Sequence, residues 1–273
     1  MLIAQITDLH IRLPGQKAYR VVETDRYLPP AVQRLNAMDP RPDLVLVSGD
    51  LTDFGRPAEY AHLKQMLDMS AMPYYVMPGN HDSRSVLRET FVGHDYLTSQ
   101  DGFLHFTLET GPVRIIALDT TVPEQSHGAL CERRLAWLAA RLAESPDKPT
   151  LVAMHHPPFD TGIAHMDAIG LLQGRDALDA LLRGYRNIER VICGHVHRTV
   201  FTRFGGTVAS ICPGVAHQVA LDLTAAGPSA FTLEPPGFHL HLWDGRQLVT
   251  HAAVIDTFAG PYPFHEDGGL IDE

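Results

Sequence analysis

Five short apolar segments of this chain each end in a cluster of Asp, Asn or His residues, and this pattern limits the possible folds more than any other feature. Each cluster follows a run rich in Val, Ile, Leu or Met, which is typical of a strand covered on both faces. Ligands of such sheets collect at the carboxyl ends of the strands, so we expect the fold to bring the clusters together. They are Asp8-Leu9-His10, Gly49-Asp50, Gly79-Asn80-His81-Asp82, His155-His156 and Gly194-His195-Val196-His197.

Helical periodicity lies between these runs. It predicts helices over residues 25–38, 85–91, 131–142 and 176–182, and another that begins at Pro57. Hairpins dominate the last third. This alternation predicts an α/β fold in which two sheets pack together with helices outside. We expect a single domain over residues 1–257, with small cap and hairpin elements after about residue 200, and an irregular tail over residues 258–273.

The composition excludes several classes of protein. Apolar residues make up 45% and charged residues 20% of the 273 positions, as in globular proteins. Apolar runs are far shorter than a membrane span needs, and the net charge of −10 argues against extended nucleic acid as a partner. The first strand begins at Leu2, which leaves no room for a signal peptide. With three scattered cysteines, this predicts a reducing, cytoplasmic location and no membrane partner.

The clusters have the chemistry of a metal site. Residues two apart in an extended strand point to the same side, so Asp8 with His10, and His195 with His197, can converge on one ion. Asp50, Asn80 and His156 bring the set to seven oxygen and nitrogen ligands without sulfur, which suits Mn, Fe, Co or Zn. Seven ligands fit two divalent ions that share Asp50 and lie roughly 3.5–4 Å apart.

Such a pair of ions predicts hydrolysis of a phosphate ester. It lowers the pKa of a bound water to about 7 and holds a phosphoryl oxygen during attack. An imidazole that is not a ligand can then stabilise the developing charge or protonate the leaving oxygen. His81, next to Asn80, is the candidate for this role.

The five clusters, in this order and at these spacings, resemble the signature of the calcineurin-like metallophosphoesterases from the first strand to about residue 217. The resemblance implies a four-layer sandwich of two mixed β-sheets flanked by helices. It also implies that His81 is catalytic and that Asp50 bridges the two ions and takes part in catalysis. One ion would have the ligands Asp8, His10, Asp50 and His197, and the other Asp50, Asn80, His156 and His195.

Two further segments, His155-His156-Pro157-Pro158 and Pro213-Gly214-Val215-Ala216-His217-Gln218, resemble the bacterial glycerophosphodiesterase and class III cyclic-nucleotide phosphodiesterase subgroup. That resemblance implies a small phosphodiester substrate contacted by Asn80, His81 and His217, and a homo-oligomer of two or more subunits. Two alternatives stay open: a phosphomonoesterase or nucleotidase of the same fold, and a metal-binding scaffold without catalysis.

Several polar residues have a plain structural interpretation. His155 is expected to pack beside its neighbour, and Asp53 and Asp82 either cap helices or orient a neighbour. The loops at 11–24 (with Lys17, Tyr19 and Arg20) and 158–174 (with His165) either line a pocket or have no role. Four further histidines are expected to be structural or on the surface: His239, His241, His251 and His265.

Overall fold

A computed structural model describes residues 1–97, 102–266 and 268–271 of the chain. Its strands in chain order are β1 (Leu2–Ile6), β2 (Leu44–Ser48), β3 (Tyr74–Met77), β4 (Phe106–Leu108), β5 (Arg114–Leu118), β6 (Gly128–Ala129), β7 (Thr150–Met154), β8 (Leu171–Gln173), β9 (Ile188–Cys193), β10 (Val200–Phe204), β11 (Thr207–Ile211), β12 (Gln218–Val219), β13 (Phe231–Thr232), β14 (Gly237–Trp243), β15 (Leu248–Val254), β16 (His265–Glu266) and β17 (Gly269–Leu270). Its α-helices are α1 (Leu28–Asn36), α2 (Pro57–Leu67), α3 (Arg84–Thr90), α4 (Glu132–Glu144), α5 (Ala164–Asp167) and α6 (Arg175–Arg183). None of these described helices is long and apolar enough to cross a bilayer.

Two mixed sheets form the centre of the molecule. The first has the strand order β15-β14-β1-β2-β3, in which β1, β2 and β3 are parallel, β14 is antiparallel to β1, and β15 is antiparallel to β14. The second has the order β10-β11-β9-β7-β5-β4, with parallel inner strands and an antiparallel strand at each edge. Short pairs β12–β13, β6–β8 and β16–β17 complete the pairing.

Side-chain alternation along the strands stacks these sheets into four layers. Leu44 and Leu46 of β2 point to the second sheet and share a core with Ile115 and Leu151. Val45 and Val47 point the other way, into a core that includes residues of α1 and α2. The opposite face of the second sheet packs on α4 and α6. The predicted arrangement, helices on both outer faces of two mixed sheets, is therefore confirmed.

Proline decides where two helices begin. Pro57 occupies the first turn of α2, where its missing N–H is not needed, and this predicted start is confirmed. The first helix begins at Leu28, with two prolines in its first turn. The predicted start at residue 25 was wrong, because Thr24–Arg26 forms a separate 3-10 helix before it.

The hairpins of the last third take different places. The pair β10–β11 forms one edge of the second sheet, and β14–β15 extends the first sheet beside β1. The tail after residue 258, which we expected to be irregular, contains the exposed antiparallel pair β16–β17. Residues 98–101 of the predicted domain and residues 267, 272 and 273 of this tail lie outside the described residues.

Candidate metal centre and active site

The five polar clusters lie at the carboxyl ends of β1, β2, β3, β7 and β9, where the two sheets meet. The seven predicted ligands therefore come from loops that are far apart in sequence. Six of them are buried, although they are polar, and Asn80 is half-buried. The buried six are Asp8, His10, Asp50, His156, His195 and His197.

The backbone at these positions is strained. Asp8, His10, Asp50, His195 and His197 all have left-handed conformations, with φ between 45° and 72°. Each such residue costs about 1–2 kcal/mol, and such strain is typical of functional sites. Asp8 and His10 therefore converge through a tight turn and not through the extended pleat that we assumed from their spacing. Two backbone hydrogen bonds hold the turn: the amide of Asp8 donates to the carbonyl oxygen of Gly49 (3.1 Å), and the amide of His10 donates to that of Asp50 (2.9 Å).

The first group of candidate ligands is compact. The Nε2 atoms of His10 and His197 lie 3.1 Å apart, and His197 Nε2 is 3.4 Å from Asp8 Oδ1. His10 Nε2 is 3.6 Å from Asp50 Oδ2. His197 Nδ1 lies 3.0 Å from the carbonyl oxygen of His217 and donates to it, which directs Nε2 toward the other donor atoms. This arrangement of donor atoms suits a cation.

The second group contains polar atoms without partners. Asn80 Oδ1 and His195 Nε2 are buried and have no hydrogen-bond partner among the described residues. Leaving such an atom unsatisfied costs about 1–3 kcal/mol, and a metal ion bound by both atoms removes that cost. Burial, together with neighbouring imidazoles, holds the pKa of His156 and of His195 well below the usual range. Both rings are therefore neutral, as a metal ligand requires.

His155 contacts the carboxylate that joins the two groups. Its Nδ1 lies 2.9 Å from the carbonyl oxygen of Ser48, and its Nε2 lies 3.2 Å from Asp50 Oδ2. Burial alone would lower the pKa of His155, but Asp50 raises it to about 9. Burial alone would raise the pKa of Asp50, but His155 and His81 hold it well below its usual range. Potential ligand atoms of His155, His156 and His195 all lie within 4.8 Å of one another, but both ring nitrogens of His155 face oxygen acceptors.

Two imidazoles outside the predicted ligand set face the same space. His81 Nδ1 is held 2.8 Å from the carbonyl oxygen of Asp53. Burial lowers the pKa of His81, but Asp50, Asp53 and Asp82 together outweigh burial and raise it above the usual value. Burial and the nearby His197 hold the pKa of His217 far below the usual range. The two imidazoles are thus shifted in opposite directions: the pKa of His81 is raised and that of His217 is lowered.

Asp82 orients its neighbours. Its Oδ2 accepts hydrogen bonds from the amides of Gly79 (2.8 Å) and Leu51 (3.0 Å). Its Oδ1 accepts them from Tyr60 Oη (2.7 Å) and the amide of Thr52 (3.3 Å). Of the two alternatives for this residue, the orienting one is confirmed. Asp53 lies 3.4 Å from His10 Nδ1, which makes it a neighbour of the first group.

A cavity of about 310 Å³ opens above the candidate ligands. Its polar floor includes His10, His81 and His217, and its wall is largely apolar. The predicted loops both contribute, since Tyr19 and His165 line it, and so does the pair β12–β13 through Val219 and Phe231. His239 and His241 are buried, and His241 bridges Gln5 and Thr250 within the first sheet, in keeping with structural roles.

Two neighbours of His156 were missed by the sequence reasoning. Thr120 Oγ1 lies 2.7 Å from His156 Nδ1, and the carbonyl oxygen of Ser126 lies 3.2 Å from His156 Nε2. Thr120 had a usable signal, because Asp119-Thr120-Thr121 follows the apolar strand β5 just as the other clusters follow theirs. Ser126 had no comparable signal, since it lies in a loop.

Comparison with known proteins agrees with this geometry. The sequence profile of calcineurin-like phosphoesterases matches residues 1–199. The chain is 40% identical to a probable glycerophosphodiester phosphodiesterase GpdQ of Arcobacter nitrofigilis, over the whole of both chains. It is 35% identical to a probable cyclic nucleotide phosphodiesterase of Rhodopseudomonas palustris, over 99% of this chain and 98% of that protein.

A solved structure has the same fold. A dimetal phosphatase from Danio rerio superimposes with a TM-score of 0.70 at 18% identity, over 94% of this chain and 96% of that one. At this identity the likeness concerns the fold alone. The sequence profile and the two relatives together establish that the chain belongs to the calcineurin-like phosphoesterase family.

Proposed function

We propose that this chain is a metal-dependent phosphodiesterase that hydrolyses small phosphodiesters of the glycerophosphodiester or 3',5'-cyclic-nucleotide type. The observation that carries the proposal is the convergence of candidate ligands from five strand ends. Five of these ligands (His10, Asp50, Asn80, His195 and His197) line one cavity, beside two imidazoles outside the predicted ligand set. Relatives named for both substrate types support the same reaction class.

The candidate ligands fit two divalent ions. We assign Asp8, His10, Asp50 and His197 to one ion, and Asp50, Asn80, His156 and His195 to the other. The unpartnered oxygen of Asn80 and nitrogen of His195 support this assignment, and the oxygen and nitrogen donors accept Mn, Fe, Co or Zn. When bound, the ions would act as Lewis acids on the phosphate and acidify a water molecule.

Two side chains of the protein act on the substrate in this proposal. The carbonyl oxygen of Asp53 fixes Nδ1 of His81, so Nε2 is left to face the substrate. The raised pKa of His81 favours its protonated form, which suits donation of a proton to the leaving oxygen. His217 is neutral and lines the same cavity, where it contacts a phosphoryl oxygen together with Asn80.

We also propose one domain over residues 1–257, a separate tail over residues 258–273, and a homo-oligomer. Exposed apolar side chains on the tail support assembly, because several large apolar side chains exposed on one short segment are typical of an interface. They include Phe258, Tyr262, Phe264 and Leu270. A cytoplasmic location is proposed on the three free cysteines, Cys131, Cys193 and Cys212.

The test compares an aryl phosphodiester with its monoester. The purified protein is stripped with a chelator and restored with Mn²⁺, and initial rates are measured for bis(p-nitrophenyl) phosphate and p-nitrophenyl phosphate. We expect metal-dependent activity that favours the diester and collapses in Asp50→Ala. The exposed Asp147→Ala is the matched control. A preference for the monoester would indicate a phosphatase, and no activity with any divalent metal would favour a scaffold.

A further inference from the structure

A second chamber of about 610 Å³ adjoins the first cavity. The two spaces share Tyr19, Asn80, His81 and Ser126, so they meet at Asn80 and His81, two residues that we place at the scissile phosphate. We propose that the second chamber binds one ester arm of an acyclic phosphodiester and favours an arm with negative charge. This inference rests on the proposed function and narrows its substrate class.

The chamber geometry fits a substrate with two separate arms. Two ester oxygens leave the phosphorus of a diester in different directions, and here a space lies on each side of the shared residues. One arm enters the first cavity, against a wall that includes Met166, Ile169 and Phe231. The other enters the second chamber. In a 3',5'-cyclic nucleotide both ester oxygens belong to one ring, and only one of the two spaces is filled.

A strained turn separates the chambers. Tyr19 and Arg20 are consecutive left-handed residues, with φ of 49° and 64°. Reciprocal backbone hydrogen bonds of 2.8 and 3.0 Å between Ala18 and Val22 close the turn. The Tyr19 ring centroid is then 5.3 Å from that of His217, while Arg20 lines the second chamber. Such strain persists only where the surroundings hold it, so the partition between the two spaces is built into the fold.

One cation of the second chamber is already neutralised. Arg12 lies 3.2 Å from Glu59 and 3.5 Å from Asp53, and its guanidinium is 4.4 Å from the centre of the Phe54 ring. These contacts fix Arg12 as part of the chamber wall. Its charge is therefore not available to a ligand.

Two other cations of the second chamber, Lys17 and Arg20, are available to attract an anionic ester arm. Lys17 is 46% exposed and has only a long 3.8 Å contact with Glu23. Arg20 is exposed and forms no ion pair with any described residue. Glu124 is the opposing carboxylate in this chamber beyond the paired Asp53. The free charges thus sum to a modest positive field, which attracts an anionic arm and repels a cationic one.

The test uses three p-nitrophenyl phosphodiesters whose second arm is 2-carboxyethyl (anionic), 2-hydroxyethyl (neutral) or choline (cationic). With metal-restored wild-type protein at low salt, we expect kcat/KM to favour the anionic over the cationic arm by roughly tenfold, the scale of two screened charge contacts. The preference should shrink with added salt. The variant Lys17→Glu/Arg20→Glu should reverse the order, and Glu124→Gln should strengthen the wild-type order.

The matched control is Arg203→Glu/Arg246→Glu, which makes the same change in net charge at exposed positions outside both chambers. It should keep the wild-type order. If the ratio of kcat/KM for the anionic arm to kcat/KM for the cationic arm were equal in the wild type and in Lys17→Glu/Arg20→Glu, the charge assignment would be overturned. A larger kcat/KM for 3',5'-cyclic AMP than for every acyclic diester would overturn the two-arm assignment. Hydrolysis of none of these diesters would refute the proposed function itself, and this inference with it.

Discussion

Replacing Asp82 with Ala should loosen the loops that hold the candidate metal ligands. Asp82 accepts four hydrogen bonds, from the amides of Leu51, Thr52 and Gly79 and from Tyr60 Oη. These bonds tie the loop after β2 to the loop after β3. Each donor left without a partner costs about 1 kcal/mol or more, so Asp82→Ala should lower the free energy of unfolding by about 3–5 kcal/mol.

The isosteric Asp82→Asn is the matched control for that change. Asp82→Asn keeps one carbonyl oxygen for Tyr60 but presents an NH₂ group to two amide donors. We therefore expect it to lower the free energy of unfolding by about half as much as Asp82→Ala does. The measurement is chemical denaturation of the metal-free protein at neutral pH. Metal affinity, measured by competition with a chromogenic chelator, should fall about 10- to 100-fold in Asp82→Ala, as for other residues that orient ligands. A loss of stability below about 1 kcal/mol, with unchanged affinity, would refute the tethering role.

Three further variants test other parts of the structure. Burial would raise the pKa of Asp119, but the hydrogen bonds from Arg84 hold this pKa below the usual value. The contribution of Asp119 to stability is therefore present above about pH 4 and is lost as the pH falls through the folded pKa. The difference in unfolding free energy between wild type and Asp119→Asn should narrow in acid, and a difference that is constant with pH would contradict this. Gly79→Ala places a Cβ 2.2 Å from Asp50 Oδ1 and should lower the unfolding free energy by about 1–3 kcal/mol. Denaturant titration measures this, and an unchanged denaturant concentration at the unfolding midpoint would contradict it. His81→Ala should reduce kcat by about 100-fold or more with unchanged metal content, whereas loss of metal by elemental analysis would make His81 a ligand.

The strand-end clusters were predictable because their signal is local. A polar residue directly after an apolar run marks the end of a buried strand, and parallel strands bring such ends to one edge. The left-handed backbone of Asp8 and His10 was not predictable from spacing, because an extended strand and a tight turn both place residues two apart on one side. The late start of α1 reflects competition from a 3-10 helix that the periodicity does not reveal.

Roles set by long-range contacts were also beyond the sequence. The four donors to Asp82 come from three separate segments, and the contact of His155 with Asp50 joins the ends of strands in different sheets. The addition of β14–β15 to the first sheet depends on pairing with β1 across more than half of the chain. Sequence patterns report local geometry and burial, whereas these features depend on which distant segments meet.

Metal stoichiometry is the most direct test of whether two ions bind to the shared carboxylate of Asp50. The protein is stripped, dialysed against Mn²⁺ or Zn²⁺, freed of excess metal and assayed by elemental mass spectrometry per chain. We predict two ions for the wild type, about one for His195→Ala or His197→Ala, each of which belongs to a single site, and fewer than one for Asp50→Ala. A wild type that binds only one ion, or an Asp50→Ala variant that retains two, would contradict the account.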